Sequence, residues 1–136
     1  QVLELMRELS VQTGTALMLI THDLSVIAQM CSRVLVFYCG EIVEQAPVRQ
    51  LLEEPRHPYT QGLLASLPQR GVYGDLNIIP GQVPKASDFP AGCVFAPRCA
   101  RAGGRCFAEK PPMTASGSGG VRCWAYGPQE GAGGNV

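Results

Sequence analysis

The chain has no excess of either charge, no long apolar run, no internal repeat and no paired CxxC motif, and each absence removes a class of function. Eleven acidic residues balance eleven basic ones in 136, so no strong field draws the molecule to nucleic acid or an anionic lipid surface. Nor do aromatics interleave with its arginines in the manner of a nucleic-acid module. No apolar stretch approaches the roughly 20 residues of a membrane span, and none has the form of a secretory h-region. The length allows one modest core, not two independent ones of ordinary size. The first residue is Gln1, and the opening ten residues read as the middle of an element. The chain is therefore expected to be a piece of a longer polypeptide.

What is present divides into two halves. Val2, Leu5, Met6 and Leu9 form one helical stripe, and Gly14 suits the end of that helix. Ala16 to Ile20 is continuously apolar, which predicts a strand buried on both faces, as in a parallel sheet. The strand ends at Thr21-His22, and Asp23 is placed to cap a helix with Leu24, Ile27, Ala28 and Cys31 on its apolar side. Val34 to Tyr38 and Glu41 to Glu44 read as antiparallel strands around a Cys39-Gly40 turn. Pro47 opens a helix through Val48, Leu51 and Leu52, Pro55 ends it, and His57-Pro58 opens another through Leu63, Leu64 and Leu67. The front half is thus α/β.

The back half is different. Thirteen glycines and seven prolines fall in the 66 residues from Gly71 onward, a composition that reads as disordered unless something cross-links it. Thr114 to Gly120 and Gly127 to Val136 read as low-complexity, mobile segments. Four cysteines stand in this half with the spacing C-x5-C-x6-C-x16-C: Cys93, Cys99, Cys106 and Cys123. That is neither a paired zinc ribbon nor a ferredoxin run. A four-thiolate iron–sulfur cluster, a four-thiolate Zn2+ site and two disulfides all compete, beside four thiols with no joint role. Metal ligation can contribute about 10 kcal/mol or more to folding, which such a loop-rich segment needs. Arg98, Arg101, Arg105 and Arg122 lie beside the cysteines with Lys110 nearby, placed to offset the charge of an anionic cluster or to form an ordinary solvated basic face. Phe95 and Trp124 are expected to wall the site or simply to pack. Cys31 and Cys39 fall outside the pattern and read as small hydrophobes.

His22 sits where α/β sheets bind ligands, beyond the carboxyl end of a strand. Its plain role there is capping or packing. Leu19-Ile20-Thr21-His22-Asp23-Leu24, followed by Val34 to Tyr38, Gly40 and Ile42-Val43-Glu44, resembles the end of an ABC-transporter ATP-binding subunit. The resemblance implies that His22 is the switch histidine that contacts the γ-phosphate of ATP. Gln1 to Leu9 looks like the helix after that family's D-loop. His57-Pro58-Tyr59-Thr60, Ile79 to Pro84 and Gly92 to Cys99 resemble the oligopeptide, dipeptide and nickel importer branch and its C-terminal extension. The fold implied is the C-terminal part of a P-loop NTPase-like ABC core over 1–56. A loop-rich, cysteine-stapled extension over 57–126 and a disordered tail over 127–136 follow it.

The same resemblance implies a 4Fe-4S cluster on Cys93, Cys99, Cys106 and Cys123, and ATP with Mg2+ in the full-length subunit. It further implies a second ATP-binding subunit, transmembrane permease partners and a place on the cytoplasmic face of the membrane. The departure is that this chain has no GxxxxGK[ST] loop, no LSGGQ-like signature and no acidic Walker B strand. Those parts cradle phosphates and hold magnesium, so the polypeptide taken alone is not expected to hydrolyse ATP. Its apolar helix and strand, lacking partners, are expected to drive self-association. The competing reading is a free-standing metal- or cluster-binding module that retains an ATPase remnant.

Overall fold

The computed structural model describes residues 2–67 and 79–127. Helix α1, Val2–Thr13, ends at Gly14, whose φ of +65° is the left-handed conformation that closes a helix. No residue of α1 is buried. The apolar segment at residues 16–20 follows it as irregular chain, not as a strand, and Ile20 is 97% exposed. This corrects the expected doubly buried parallel strand. A strand exists only where a neighbour takes its N–H and C=O groups, and among the described residues none lies beside this segment.

The observed sheet is antiparallel. Strand β1, Arg33–Tyr38, turns through Cys39 (φ +48°) and Gly40 (φ +79°) into β2, Glu41–Pro47. Two successive left-handed residues form the tight hairpin turn whose twist suits the flanking strands. Val34, Val36 and Tyr38 point into the core while Leu35 and Phe37 face outward. The register jumps from Val36↔Glu44 to Phe37↔Ile42. This leaves Val43 as a bulged residue, and the bulge buries both Val43 and Glu44.

The segment 114–120, expected to be mobile, is instead a second hairpin. Strand β3, Thr114–Ser116, and β4, Gly119–Val121, extend the sheet in the order β1-β2-β4-β3. Gly119 decides this docking, because a Cβ there would stand 2.0 Å from the Gln45 carbonyl oxygen. Gln50 holds the turn, donating to Ser116 O and accepting from Ser118 N.

Short helices flank the sheet: α2, Leu24–Met30; α3, Val48–Glu53; α4, Pro58–Ala65; and α5, Gly104–Ala108. The core gathers Val34, Val36, Tyr38, Val43, Ala46, Val48 and Leu51 with Val94 and Phe95 from the loop-rich half. Cys31 and Cys39 pack against it half-buried, as expected of small hydrophobes. Gln1, Pro68 and, but for Gly127, the expected disordered tail lie outside the described residues.

Candidate functional site

His22 occupies a bend between the irregular apolar segment and α2, with its side chain exposed. Asp23 caps α2 through one carboxylate oxygen, which accepts from Ser25 N at 2.8 Å, Ser25 Oγ at 2.6 Å and Val26 N at 3.3 Å. The Ser25 hydroxyl, followed by the two backbone N–H groups, holds the Asp23 carboxyl below its ordinary pKa. The histidine thus stands exposed just before a side-chain-capped helix.

The second candidate site is built by loops. Cys93 donates its N–H to Cys106 O at 2.7 Å and Gly92 donates to Phe107 O at 3.1 Å, which ties the first cysteine to α5. Gly92 permits that approach, since a Cβ there would lie 2.3 Å from Cys106 O. Ala96 N donates back to Cys93 O, and Cys99 N donates to Ala96 O, forming the short turn between the first two cysteines. Cys123 follows β4 and accepts from Tyr126 N. All four thiols are half-buried and line one cavity of about 50 Å³, walled by Phe95 and Trp124 as the sequence suggests.

Burial pushes the Cys93 and Cys123 thiols up. A backbone N–H pulls each partly back, from Phe95 and Ala125 respectively, and the neighbouring thiols push up again. Thiols so placed resist ionisation unless a cation joins them.

The six cysteines are free, so no disulfide staples the extension. Among the described residues no three His, Cys, Asp or Glu side chains form a group that could hold one metal ion. Zinc needs its sulfurs about 2.3 Å from a single centre, and this geometry does not provide one. Neither the expected 4Fe-4S cluster nor the Zn2+ alternative therefore has a preformed ligand group among the described residues. The staple expected of cysteines is instead supplied by polar clamps. Arg98 donates to Pro80 O (2.9 Å), Ile79 O (3.0 Å) and Tyr38 OH (3.4 Å). Arg122 donates to Ile42 O and Pro111 O, and Arg105 pairs with Glu109 while lying 3.6 Å above the Trp124 ring. Lys110 pairs with Glu41. Of the arginines assigned to offset cluster charge, Arg101 alone lines the cavity, and it also donates to Gln61 Oε1.

The sequence marks His57 as a helix start and as part of the importer-branch resemblance, not as a neighbour of the cysteines. The structure places its ring in the wall of the four-cysteine cavity at 1% exposure, tilted against Phe95 with centroids 5.8 Å apart. Its Nδ1 accepts from Tyr59 N at 3.1 Å, capping α4. Nε2 is buried without a hydrogen-bond partner. Burial, and then the positive charge of Arg101, hold its pKa down to about 4, against a smaller raising effect from a weak hydrogen bond to the Arg122 backbone, too poorly aligned to satisfy Nε2. The ring is therefore neutral at pH 7. With Nδ1 accepting, its proton sits on Nε2. One signal was available: a histidine at an N-cap, where Ser, Thr, Asp and Asn are the usual choice.

Residues 43–106 match the family described as the oligopeptide/dipeptide transporter C-terminal region. The chain is similar to the oligopeptide transport ATP-binding protein AppD of Bacillus subtilis, 48% identical over 134 residues, which cover 97% of this chain and 40% of that protein. It is also similar to the "Probable D,D-dipeptide transport ATP-binding protein DdpD" of Escherichia coli K12, 40% identical over 131 residues, covering 96% of this chain and 40% of that protein. The chain thus spans about 40% of the length of these relatives.

Proposed function

The chain belongs to the family of oligopeptide and dipeptide transport ATP-binding proteins, of which it matches a C-terminal part, and on that premise we propose that it serves as the switch-and-extension portion of an ABC-type subunit powering peptide import. The observation that carries this reading is the 97% coverage at 48% identity to an oligopeptide transport ATP-binding protein. ATP and Mg2+ bind the full-length subunit, and two such subunits act on transmembrane permeases from the cytoplasmic face. His22 contacts the γ-phosphate and couples its presence to closure. Its exposed side chain beside the Asp23-capped helix is consistent with that role. The chain alone contains no phosphate loop and hydrolyses no ATP. Replacing His22 with Ala in the full-length subunit should abolish ATP-driven peptide uptake while leaving nucleotide binding intact; unchanged uptake would reject the assignment.

For the extension, Cys93, Cys99, Cys106 and Cys123 are the residues that would hold a 4Fe-4S cluster. One feature supports this reading: all four cysteines border one cavity. When bound, a cluster supplies four sulfur–iron links between loops and a centre able to accept an electron. The chain's own residues shield that place with Phe95 and Trp124 and bring positive charge to it through Arg101. Purification without oxygen should give iron and acid-labile sulfide in matched amounts, both lost in Cys99→Ser. Stoichiometric zinc, or no metal, would overturn the cluster assignment and leave the transporter assignment standing.

A further inference from the structure

The walls of the four-cysteine cavity are held unequally. His57, Phe95 and Ala96 line it at 1%, 3% and 2% exposure. Trp124 and Ala125 also line it, but they belong to the short 3-10 turn Trp124–Tyr126, in which no residue is buried. That turn folds back just past Cys123, with Tyr126 N donating to Cys123 O at 3.0 Å and Gly127 N to Trp124 O at 3.2 Å. Side chains fasten it. Trp124 Nε1–H donates to Glu109 O at 3.0 Å, and the Arg105 guanidinium lies 3.6 Å above the indole. We infer that the turn Trp124–Tyr126 is a hinged cover on the four-cysteine cavity. Its opening, without unfolding of the sheet, admits small thiol-seeking species to Cys93, Cys99, Cys106 and Cys123. The cover acts alike whatever the cysteines hold.

Contacts of this kind fasten a segment without locking it. Arg105 is itself steadied by Glu109 at 3.0 Å, but the two side chains are 37% and 60% exposed, so water and salt compete with the pair. A cation over an indole is weak for the same reason where solvent reaches it. Segments with few buried contacts open locally at a free energy well below that of the whole chain. The chain is fixed up to the hinge at Cys123: Val121 is fully buried, and Arg122 donates from its backbone to Val43 O and from its side chain to Ile42 O and Pro111 O. Both contacts on the indole come from α5 and the residue that follows it, and α5 carries Cys106. They therefore join the segment of Cys123 to that of Cys106. When they part, α5 stays tied to Cys93 through its backbone, and the cavity opens on the side of the turn.

The experiment uses the full chain, reduced and treated with a chelator, and follows iodoacetamide modification of each cysteine by peptide mass spectrometry. The thiolate attacks the carbon, iodide leaves, and the thiol proton passes to buffer. The unaltered chain is compared with Arg105→Gln, which takes the cation off the indole, and with Trp124→Phe, which keeps a ring but removes the N–H donor. Circular dichroism first establishes that each variant is folded. Cys123 and Cys106 should then react about tenfold faster in both variants. Cys31 and Cys39, which pack against the core outside the cavity, should keep their rates. The chain holds one tryptophan, so acrylamide quenching of its fluorescence reports the cover directly and should rise in Arg105→Gln. Unchanged rates at the cavity cysteines in folded variants overturn the cover. Equal acceleration at Cys31 and Cys39 overturns it too, because that marks a general loosening. Should a variant fail to fold, the unaltered chain decides. A cover that opens alone exposes little surface, so the Cys123 rate should vary little with low urea. A steep rise with urea would show that only unfolding frees the thiol, and would reject the cover.

Discussion

Glu44, buried in the bulge of β2, accepts the backbone N–H of His57 at 2.9 Å through Oε2 and that of Arg56 at 2.8 Å through Oε1. One carboxylate thus ties the hairpin in the front of the chain to the histidine that walls the cysteine cavity. The two residues stand 13 apart in sequence, and the bulge at Val43 is what turns Glu44 inward to meet the loop. Removing it leaves two N–H groups with no acceptor in a buried place. Glu44→Ala should destabilise the chain by about 3 kcal/mol, read as a lower urea midpoint at unchanged m-value. A loss below about 1 kcal/mol would show that water reaches the clip.

The protonation of His57 predicts a pH dependence with a definite sign. Its folded pKa is about 4 against 6.5 for an ordinary histidine. Between those values the unfolded chain binds more protons, so stability rises with pH there. The contribution is fully present above pH 6.5 and fades as pH falls toward 4, by roughly 3 kcal/mol in all. Urea titrations of metal-free chain between pH 7 and 4 should show this slope, and His57→Asn should remove most of it. A slope equally steep in the variant would assign the effect to other groups.

Gly92→Ala tests whether the cysteines are assembled by close backbone contact. The added methyl would meet Cys106 O at 2.3 Å and Glu109 O at 2.9 Å, both backbone atoms that cannot turn aside. The link from Cys93 to α5 should open, with the melting temperature dropping. Gly103→Ala, where nothing lies within 4 Å of the new atom, is the matched control and should behave as the unaltered chain.

Arg98 carries the attachment of residues 79–80 to the core through two carbonyls and the Tyr38 hydroxyl. Lysine cannot reproduce a planar three-way donation. Arg98→Lys should cost about 1–2 kcal/mol and speed amide exchange at residues contacting Ile79, such as Gly62. Unaltered exchange at that position would argue that the clamp is dispensable.

Met18 and Ile20 are 82% and 97% exposed in an apolar segment that belongs to no helix or strand. Such a segment is a template for pairing with a second copy. Light scattering should report concentration-dependent association, reduced by Met18→Lys together with Ile20→Lys. A monomer across concentrations would count against it.

Much of the front half was legible because its signals are local. Asp23 caps α2, Gly14 closes α1, Cys39-Gly40 turns a hairpin and His57-Pro58 starts α4; each depends on a few neighbouring dihedrals and one or two hydrogen bonds. The apolar run at 16–20 was misread as a formed strand, since hydrophobicity reports a preference for burial but cannot supply the neighbour that a strand requires. The run at 114–120 was misread as mobile for the opposite reason. Its glycines look like flexibility in isolation, yet Gly119 is what allows β4 to approach β2 closely enough to pair.

The sequence by itself determined the chemistry available to this protein: four thiols in a loop-rich segment, a histidine before a capped helix, and no phosphate loop. Tertiary structure decided which of those groups meet. It placed the four cysteines around one cavity without forming a metal-holding group among the described residues, committed Arg98 and Arg122 to backbone carbonyls, and buried His57 in the cavity wall. The reason is physical. Caps and tight turns are written in adjacent residues, whereas the neighbours of a buried donor are set by strands and loops that arrive from far along the chain.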